Sequence, residues 1–270
     1  MKTILSPKIS VVMSVHNGMP YIKDSVESIL GQSYKNFELI IVDDFSTDHS
    51  CEYLTSLRDK RIKLIKNNKN LGLSASLNKA IKISRGSYIA RMDADDISDP
   101  QRLSEQISFM TRHTSINLCG TWAILIDENG KKVGKLKYPT DSNEIQKKIV
   151  LFNPIVHPSL MAKKSFFDQL GGYSEEYDGA EDYELLMRGS KFFKYANLPK
   201  ELLLLRLSST RRSAKSMKLM DKLDLKIKIN SLKTRGASPL TIYAIFKKII
   251  FIYLIPSPIK LRIAKVLKKI

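Results

Sequence analysis

Lys8–Asp44 reads KISVVMSVHNGMPYIKDSVESILGQSYKNFELIIVDD. It opens on a β-branched run, Ile9–Val15, which breaks at the turn-like stretch from His16 to Pro20. Apolar residues then fall at Ile22, Val26, Ile29 and Leu30, a single helical stripe, and Gly31 supplies a stop. The next run, FELIIVDD, is apolar without alternation. A strand with one wet face alternates. This one is expected to be buried on both faces, as in a parallel sheet.

The same rhythm continues. STDHSCEYLTSL (Ser46–Leu57) starts with cap-type residues and turns helical, with Asp44 or Ser46 as the expected cap. IKLIKN (Ile62–Asn67) is a third strand, SASLNKAIKIS (Ser74–Ser84) a helix, and Gly86 punctuates it before SYIARMD (Ser87–Asp93). Strands alternating with helices predict a doubly wound α/β half, in which ligands sit beyond the carboxyl ends of the strands. The polar groups lie there: His16 and Asn17, Asp43 and Asp44, Asn70 and Gly72, then Asp93, Asp95 and Asp96. No GxGxxG follows the first strand and no GxxxxGK[ST] occurs, which argues against dinucleotide enzymes and P-loop NTPases. After Pro100 the pattern changes. A helix (Gln101–His113), a hairpin around Glu128–Lys131, a helix from Asp141, and an acidic pair, Glu181–Asp182, opening another helix are expected, with a last strand near Leu198–Ser208.

Three acidic constellations carry chemistry. Asp93-x-Asp95 at a strand end suits Mg²⁺ or Mn²⁺, which take hard oxygen ligands. Capping of the helix after Pro100 by Asp96 or Ser98 is the local alternative. Asp43 and Asp44 can accept bonds from a uracil N–H and ribose hydroxyls, or cap. Glu181–Asp182 either complements the helix dipole, at about 0.3–1 kcal/mol, or supplies a general base.

Four stretches together carry a resemblance: Ile9–Ser50; NKNLGLSASLNKAI (Asn68–Ile81); RGSYIARMDADD (Arg85–Asp96); and HPSLMAKKSFFDQLGGYSEEYDGAEDYELLMR (His157–Arg188). In order and spacing the chain, from about Lys8 to about Arg206, resembles family 2 glycosyltransferases. The resemblance implies a GT-A fold: a nucleotide-binding, doubly wound, mostly parallel sheet with an acceptor-side subdomain. It implies an inverting, metal-dependent transfer of a sugar from a nucleotide-diphosphate sugar, of UDP type, to a glycan acceptor, lipid-linked, in surface polysaccharide synthesis. Val15, His16 and Asn17 would lie along the nucleotide. Asp43 and Asp44 would hold uracil and ribose, and Asn70, Gly72 and Leu73 would back the base. Arg91, Asp93 and Ala94 would meet the diphosphate, with Asp93 and Asp95 holding Mn²⁺ or Mg²⁺. Asp182 would be the base, with Glu181 beside it, and His157 and Arg206 would lie on the acceptor side.

Some positions depart from that pattern. The first loop has His16 where relatives commonly have tyrosine, Phe45 stands where glycine is common, and Ser208 stands where a late histidine is usual, with Arg206, Arg211 and Arg212 nearby. The QxxRW motif of processive synthases is absent, which points to single additions. Trp122, the only tryptophan, is expected to pack in the core.

The organisation expected is a catalytic domain over 1–206, with a nucleotide-sugar half (1–100) and an acceptor half (101–206), followed by a basic amphipathic tail (207–270). From Arg206 onward there are 17 Lys and Arg against two acids, Asp221 and Asp224, or +15 of the chain's +18. Lysines among aliphatic and aromatic residues suit an interfacial helix on an anionic membrane. Packing on the body, or on a second copy, is the alternative. Two cysteines form no framework, and no apolar leader is apparent. A cytoplasmic protein, peripheral at the inner membrane face, is expected. A nucleic-acid partner is disfavoured because the basic residues are confined to the tail rather than lining a body surface. A sugar-nucleotide nucleotidyltransferase would carry a Gly-rich, basic phosphate loop, which HNGMP does not supply. A catalytically dead fold would not need the full acidic set.

Overall fold

A computed structural model describes residues 8–207 and 217–255. Ser208, Arg211 and Arg212, and the tail beyond residue 255, lie outside the described residues. The first half follows the alternation: Ile9–Val15 (β1), Ile22–Leu30 (α1), Phe37–Asp43 (β2), Ser50–Ser56 (α2), Ile62–Lys66 (β3), Leu73–Ile83 (α3) and Tyr88–Asp93 (β4). The second half comprises Ile97–Ser98 (β5), Arg102–Arg112 (α4), Ile116–Ile126 (β6), Lys132–Leu136 (β7), Ser142–Lys148 (α5), Met161–Lys163 (β8), Lys164–Leu170 (α6), Glu181–Gly189 (α7) and Lys194–Arg206 (β9). Two further helices, Met217–Arg235 (α8) and Pro239–Ile249 (α9), precede a π-helical turn over Ile250–Leu254.

The strands form one mixed sheet in the order β3-β2-β1-β4-β8-β6-β9-β5, with β7 paired to β6. β1 to β4 run parallel, while β8 joins β4 and β6 antiparallel. β2 is buried at every position, as its unbroken apolar sequence requires. Alternate residues of the central strands feed two cores. Val11, Met13, Leu39 and Ile41 face α1 and α4, and Val12, Ile40 and Val42 face α3, α6 and α7. Leu223 and Ile227 of α8 join the second core beside Tyr183, so α8 packs on the body.

The amino-terminal edge of the parallel strands is pinned by a buried carboxylate. Glu38 of β2 accepts from Ser10 Oγ at 2.7 Å, from Arg85 N at 2.8 Å and from Arg85 Nε at 3.0 Å. Gly86 N donates to the same Ser10 Oγ, and a Cβ on Gly86 would meet Ser10 N at 2.5 Å. Glycine is therefore required where the turn into β4 passes β1.

The two local capping alternatives are not seen. Asp48, not Asp44 or Ser46, accepts the Ser50 N–H that opens α2. Neither Asp96 nor Ser98 caps α4. Asp99 takes the Gln101 N–H there, because Asp96 is turned inward to β9. Trp122 is half-buried rather than in the core, and its indole N–H donates to Tyr138 O.

Burial alone would raise the Glu38 pKa, but the bonds from Ser10 and Arg85 outweigh it and hold the carboxyl below its ordinary value. A depressed folded-state pKa contributes stability that is present above the unfolded value and is lost as pH falls through the folded one. Glu38→Ala should therefore destabilise the fold by about 3 kcal/mol at neutral pH, read by urea unfolding. The difference from the parent should shrink in acid.

Candidate active site

The loops after β1, β2 and β3 are tied into one surface by side chains. Asn17, at φ 54°, accepts Thr47 N through Oδ1 at 2.8 Å, and its own N–H donates to Ser46 Oγ. Gly18 N and Met19 N donate to Ser50 Oγ and Asp48 Oδ2. His16 is exposed, with Nδ1 2.9 Å from Asp44 O. The Val15 side chain is core, and only its backbone, accepting Asp44 N, shapes the loop. Gly18 sits close under Ala94: a Cβ built on it would lie 3.6 Å from Ala94 Cβ.

The neighbouring aspartates divide their work. Asp44 is buried, and its carboxylate accepts Asn67 Nδ2 at 2.7 Å, Leu71 N at 2.8 Å and Gly72 N at 2.9 Å. These bonds fasten the third loop to the end of β2. Asp43 is also buried; its carboxylate accepts Ser46 N at 3.3 Å and its backbone O accepts Asn67 N at 2.9 Å. Asn70 Oδ1 caps the turn at Gly72 N, and Leu73 begins α3 half-buried against the core. Phe45 takes φ 63° and leaves its ring 49% exposed at the rim. That left-handed backbone explains why glycine suits the position.

Asp93 ends β4. Arg91 Nη1 donates to its Oδ2 at 2.6 Å and Nη2 pairs with Oδ1. Arg91 is 2% exposed, and its two terminal nitrogens orient the Asp93 carboxylate. Ser25 Oγ, from α1, donates to Asp93 O. Arg206 is likewise buried. Its N–H donates to Asp96 Oδ1 at 2.8 Å, its Nε to Asp95 O at 2.9 Å, and its guanidinium lies 4.2 Å from the Tyr21 ring centroid. Arg206 thus braces Asp95–Asp96 from beneath. Asp93, Asp95 and Asp96 bring carboxylate oxygens within 4.8 Å of one another. An all-oxygen donor set of this kind fits a hard divalent cation, with Asp93 and Asp95 partly exposed and Asp96 anchored inward.

The third constellation forms at the start of α7. His157, in a 3₁₀ turn, has Nδ1 3.7 Å from Glu181 Oε1 and 3.8 Å from Asp182 Oδ2, and Nε2 2.9 Å from Tyr173 OH. Burial, with the charge of Arg91, pushes the imidazole well below its ordinary pKa, so it is neutral. Burial and then the charge of Asp182 push Glu181 up to about 7. Burial also raises Asp182. Asp182 accepts Tyr183 N and Asn153 Nδ2, both at 2.7 Å, bonds that favour its anion. Its side chain is 23% exposed against 6% for Glu181. Burial thus weighs more on the inner Glu181, while the outer Asp182 carries the bonds that favour an anion. Asp93 and Arg91 act electrostatically on Asp182, so the two acidic sites are neighbours across the sheet end.

Two partners here were not singled out from the sequence, Asn153 and Tyr173. The only sequence signal for Asn153 is its place in the Pro-flanked loop that carries His157. Tyr173 belongs to a segment braced to α3: Asn78 and Tyr173 exchange side-chain–backbone bonds at 2.8 Å, and Asp178 Oδ1 accepts Ser74 Oγ at 3.0 Å.

Comparisons with known proteins agree with this architecture. The model of glycosyl transferase family 2 matches residues 10–169. An uncharacterized glycosyltransferase of Methanocaldococcus jannaschii, MJ1057, is 40% identical over 67% of this chain and 64% of its own length. The putative glycosyltransferase EpsE of Bacillus subtilis is 39% identical over 62% of this chain and 60% of its own. The O-antigen biosynthesis glycosyltransferase WbnJ of Escherichia coli is 40% identical over 67% of this chain and 70% of its own. The match to the first two thus spans less than two thirds of their length. Among solved structures, S. aureus TarS 1–349 in complex with UDP-GlcNAc superposes with a TM-score of 0.72 at 19% identity, covering 90% of this chain and 72% of TarS 1–349. The Pyrobaculum calidifontis mannosyltransferase PcManGT, in complex with GDP-Man and Mn²⁺, gives 0.65 at 14% identity, covering 93% and 71%. At those identities the likeness establishes the fold, which is of the GT-A type. With the family model matching more than half of its residues, the chain belongs to glycosyl transferase family 2.

Proposed function

We propose that the protein transfers one sugar from a nucleoside-diphosphate sugar, of the UDP class, to a hydroxyl of a glycan acceptor in surface-polysaccharide assembly. The observation that carries this reading is the pairing of two acidic sites at one sheet edge. Asp93 and Asp95 form a hard-oxygen set, and Asp182 is a carboxylate with a raised pKa beside it. The nucleotide sugars in the TarS and PcManGT complexes, and the O-antigen name of WbnJ, support the substrate classes.

The chemistry follows from the residues. Asp43 and the braced loops from His16 to Asn17 and from Asn70 to Leu73 receive the nucleoside. Asp93 and Asp95 would hold a divalent cation, Mn²⁺ or Mg²⁺, which when bound would supply positive charge toward the departing diphosphate. Asp182 takes the proton of the acceptor hydroxyl as that oxygen bonds to the anomeric carbon. The bond from that carbon to the diphosphate oxygen breaks on the opposite side, and the nucleoside diphosphate leaves with the electron pair. One displacement inverts the centre. A raised pKa makes Asp182 a stronger base than an ordinary aspartate. In its protonated form Glu181 spares Asp182 a second negative charge beside it. Asn153 and the Tyr183 N–H fix the direction of the Asp182 carboxylate.

Asp182→Asn should retain donor binding in calorimetry while transfer falls by about 10²–10⁴-fold. Wild-type turnover in that variant would remove Asp182 from the base role. Asp95→Ala should abolish the divalent-dependent part of nucleotide binding, measured with and without chelator. Because Glu181 titrates at about 7, it is protonated a pH unit below that value and ionised a unit above. Glu181→Gln mimics the protonated form. It should keep transfer on the acid side and remove any inflection near 7 from the rate profile. An inflection that persists there assigns the titration to another group.

A further inference from the structure

α9 is packed with the wrong side out for a water-soluble helix. The face turned to α8 carries Thr241, Ala244 and Lys248, spaced i, i+3, i+7. Lys248 is drawn into that interface by Asp221 and Asp224, at 2.8 and 2.7 Å. The opposite face carries Ile242, Phe246 and Ile249, spaced i, i+4, i+7, with Tyr243 flanking them and Tyr253 in the turn beyond. Their exposures are 54, 62, 37, 54 and 67% in that order. A surface helix in a globular domain buries its apolar stripe and shows its charges. Here the ion pairs are inside and the large apolar side chains are outside. Nine of the fourteen large exposed hydrophobic residues among the described residues lie between Leu219 and Leu254, so they form a concentration and not a scatter.

Charge identifies the occupant. Lys247 is exposed at the edge of this face, and the chain from Arg206 onward carries +15. An apolar stripe bordered by tyrosines and lysines matches an anionic bilayer on two counts at once. The aliphatic and aromatic groups enter the acyl boundary, and the ammonium groups meet the headgroups. Among the described residues no helix is long and apolar enough to cross a membrane, so the contact is one of lying on the surface.

The face is also rigidly referenced to the candidate active site. α8 puts Leu223 and Ile227 into the core beside Tyr183 of α7. Asn230 Nδ2 donates to Tyr177 OH at 2.8 Å, Lys226 pairs with Glu176 at 2.5 Å, and Arg235 Nη2 donates to Gln146 O at 2.9 Å. α7 begins with Glu181 and Asp182. We propose that the outward face of α9 and the turn after it docks the protein on an anionic bilayer, with α8 holding the start of α7 at a fixed distance above it. An acceptor presented from that surface, such as a lipid-linked glycan, would meet Asp182 without release into solution. The docking itself does not depend on the catalytic reading, since it needs no turnover.

Flotation of the full chain with vesicles tests the proposal without an activity readout. The wild type should float with a phosphatidylcholine–phosphatidylglycerol mixture and bind pure phosphatidylcholine about tenfold less well. Ile242→Ser/Phe246→Ser alters only outward side chains and should keep the parent melting temperature while losing about tenfold in binding to the mixture. A wild type that stays in the soluble fraction, or a double variant that floats equally well, overturns the proposal. So does a wild-type dimer in sedimentation velocity that the double variant converts to monomer while vesicles fail to bind, because the face then belongs to a second copy.

Discussion

Arg91 is buried in the sheet with both terminal nitrogens engaged by Asp93, and the site is arranged around that pair. Its Nε is buried with no hydrogen-bond partner, a defect that costs about 1–3 kcal/mol. Buried ion pairs are seldom the most stable choice for a core position. This one has positional consequences. It fixes the carboxylate at the end of β4, and its field reaches His157, Tyr173, Glu181 and Asp182. One buried cation thus stands behind both acidic sites, favouring the anion of Asp182 while keeping His157 neutral.

Around that pair the fold supplies braces rather than ligands. Asp44, Asp96, Arg206 and Asp178 are all polar groups at strand or helix ends, and each is bonded to a neighbouring loop or strand. The exposed groups, His16, Asn70, Phe45 and Asp95, sit on loops that those braces hold. Ordering of this kind is what a site needs if it is to meet a flexible, charged donor with little rearrangement. The same logic continues around α7, where α8 packs Leu223 and Ile227 beside Tyr183 and carries α9.

Much of this was legible in the sequence because buried parallel strands leave an unmistakable signal. The runs at Ile9–Val15, Phe37–Asp43 and Tyr88–Asp93 are short and mostly apolar, that at Phe37 most continuously, and the polar groups that follow them lie at strand ends. What stayed hidden was side-chain direction. Asp43 and Asp44 are adjacent in sequence but differ in their partners: Asp44 meets Asn67, Leu71 and Gly72, and no local pattern reveals a loop about 25 residues away closing on it. Asp96 looked like a helix cap because caps are the commonest use of aspartate before a helix. Its true partner, the N–H of Arg206, lies across the sheet. Asn153 and Tyr173 needed tertiary structure for the same reason. The tail read as amphipathic from its composition, but only packing tells which of its faces is turned to the protein.

The central claim is a nucleotide-sugar site that works with a divalent cation. Thermal unfolding of the full chain against a panel of nucleotide sugars, with Mn²⁺ and with chelator, tests it most directly, because a ligand that binds only the native state raises its melting temperature. The account predicts a rise with a UDP-sugar that requires the cation and disappears in Asp95→Ala. A melting temperature unmoved by every nucleotide sugar, with or without cation, would contradict it.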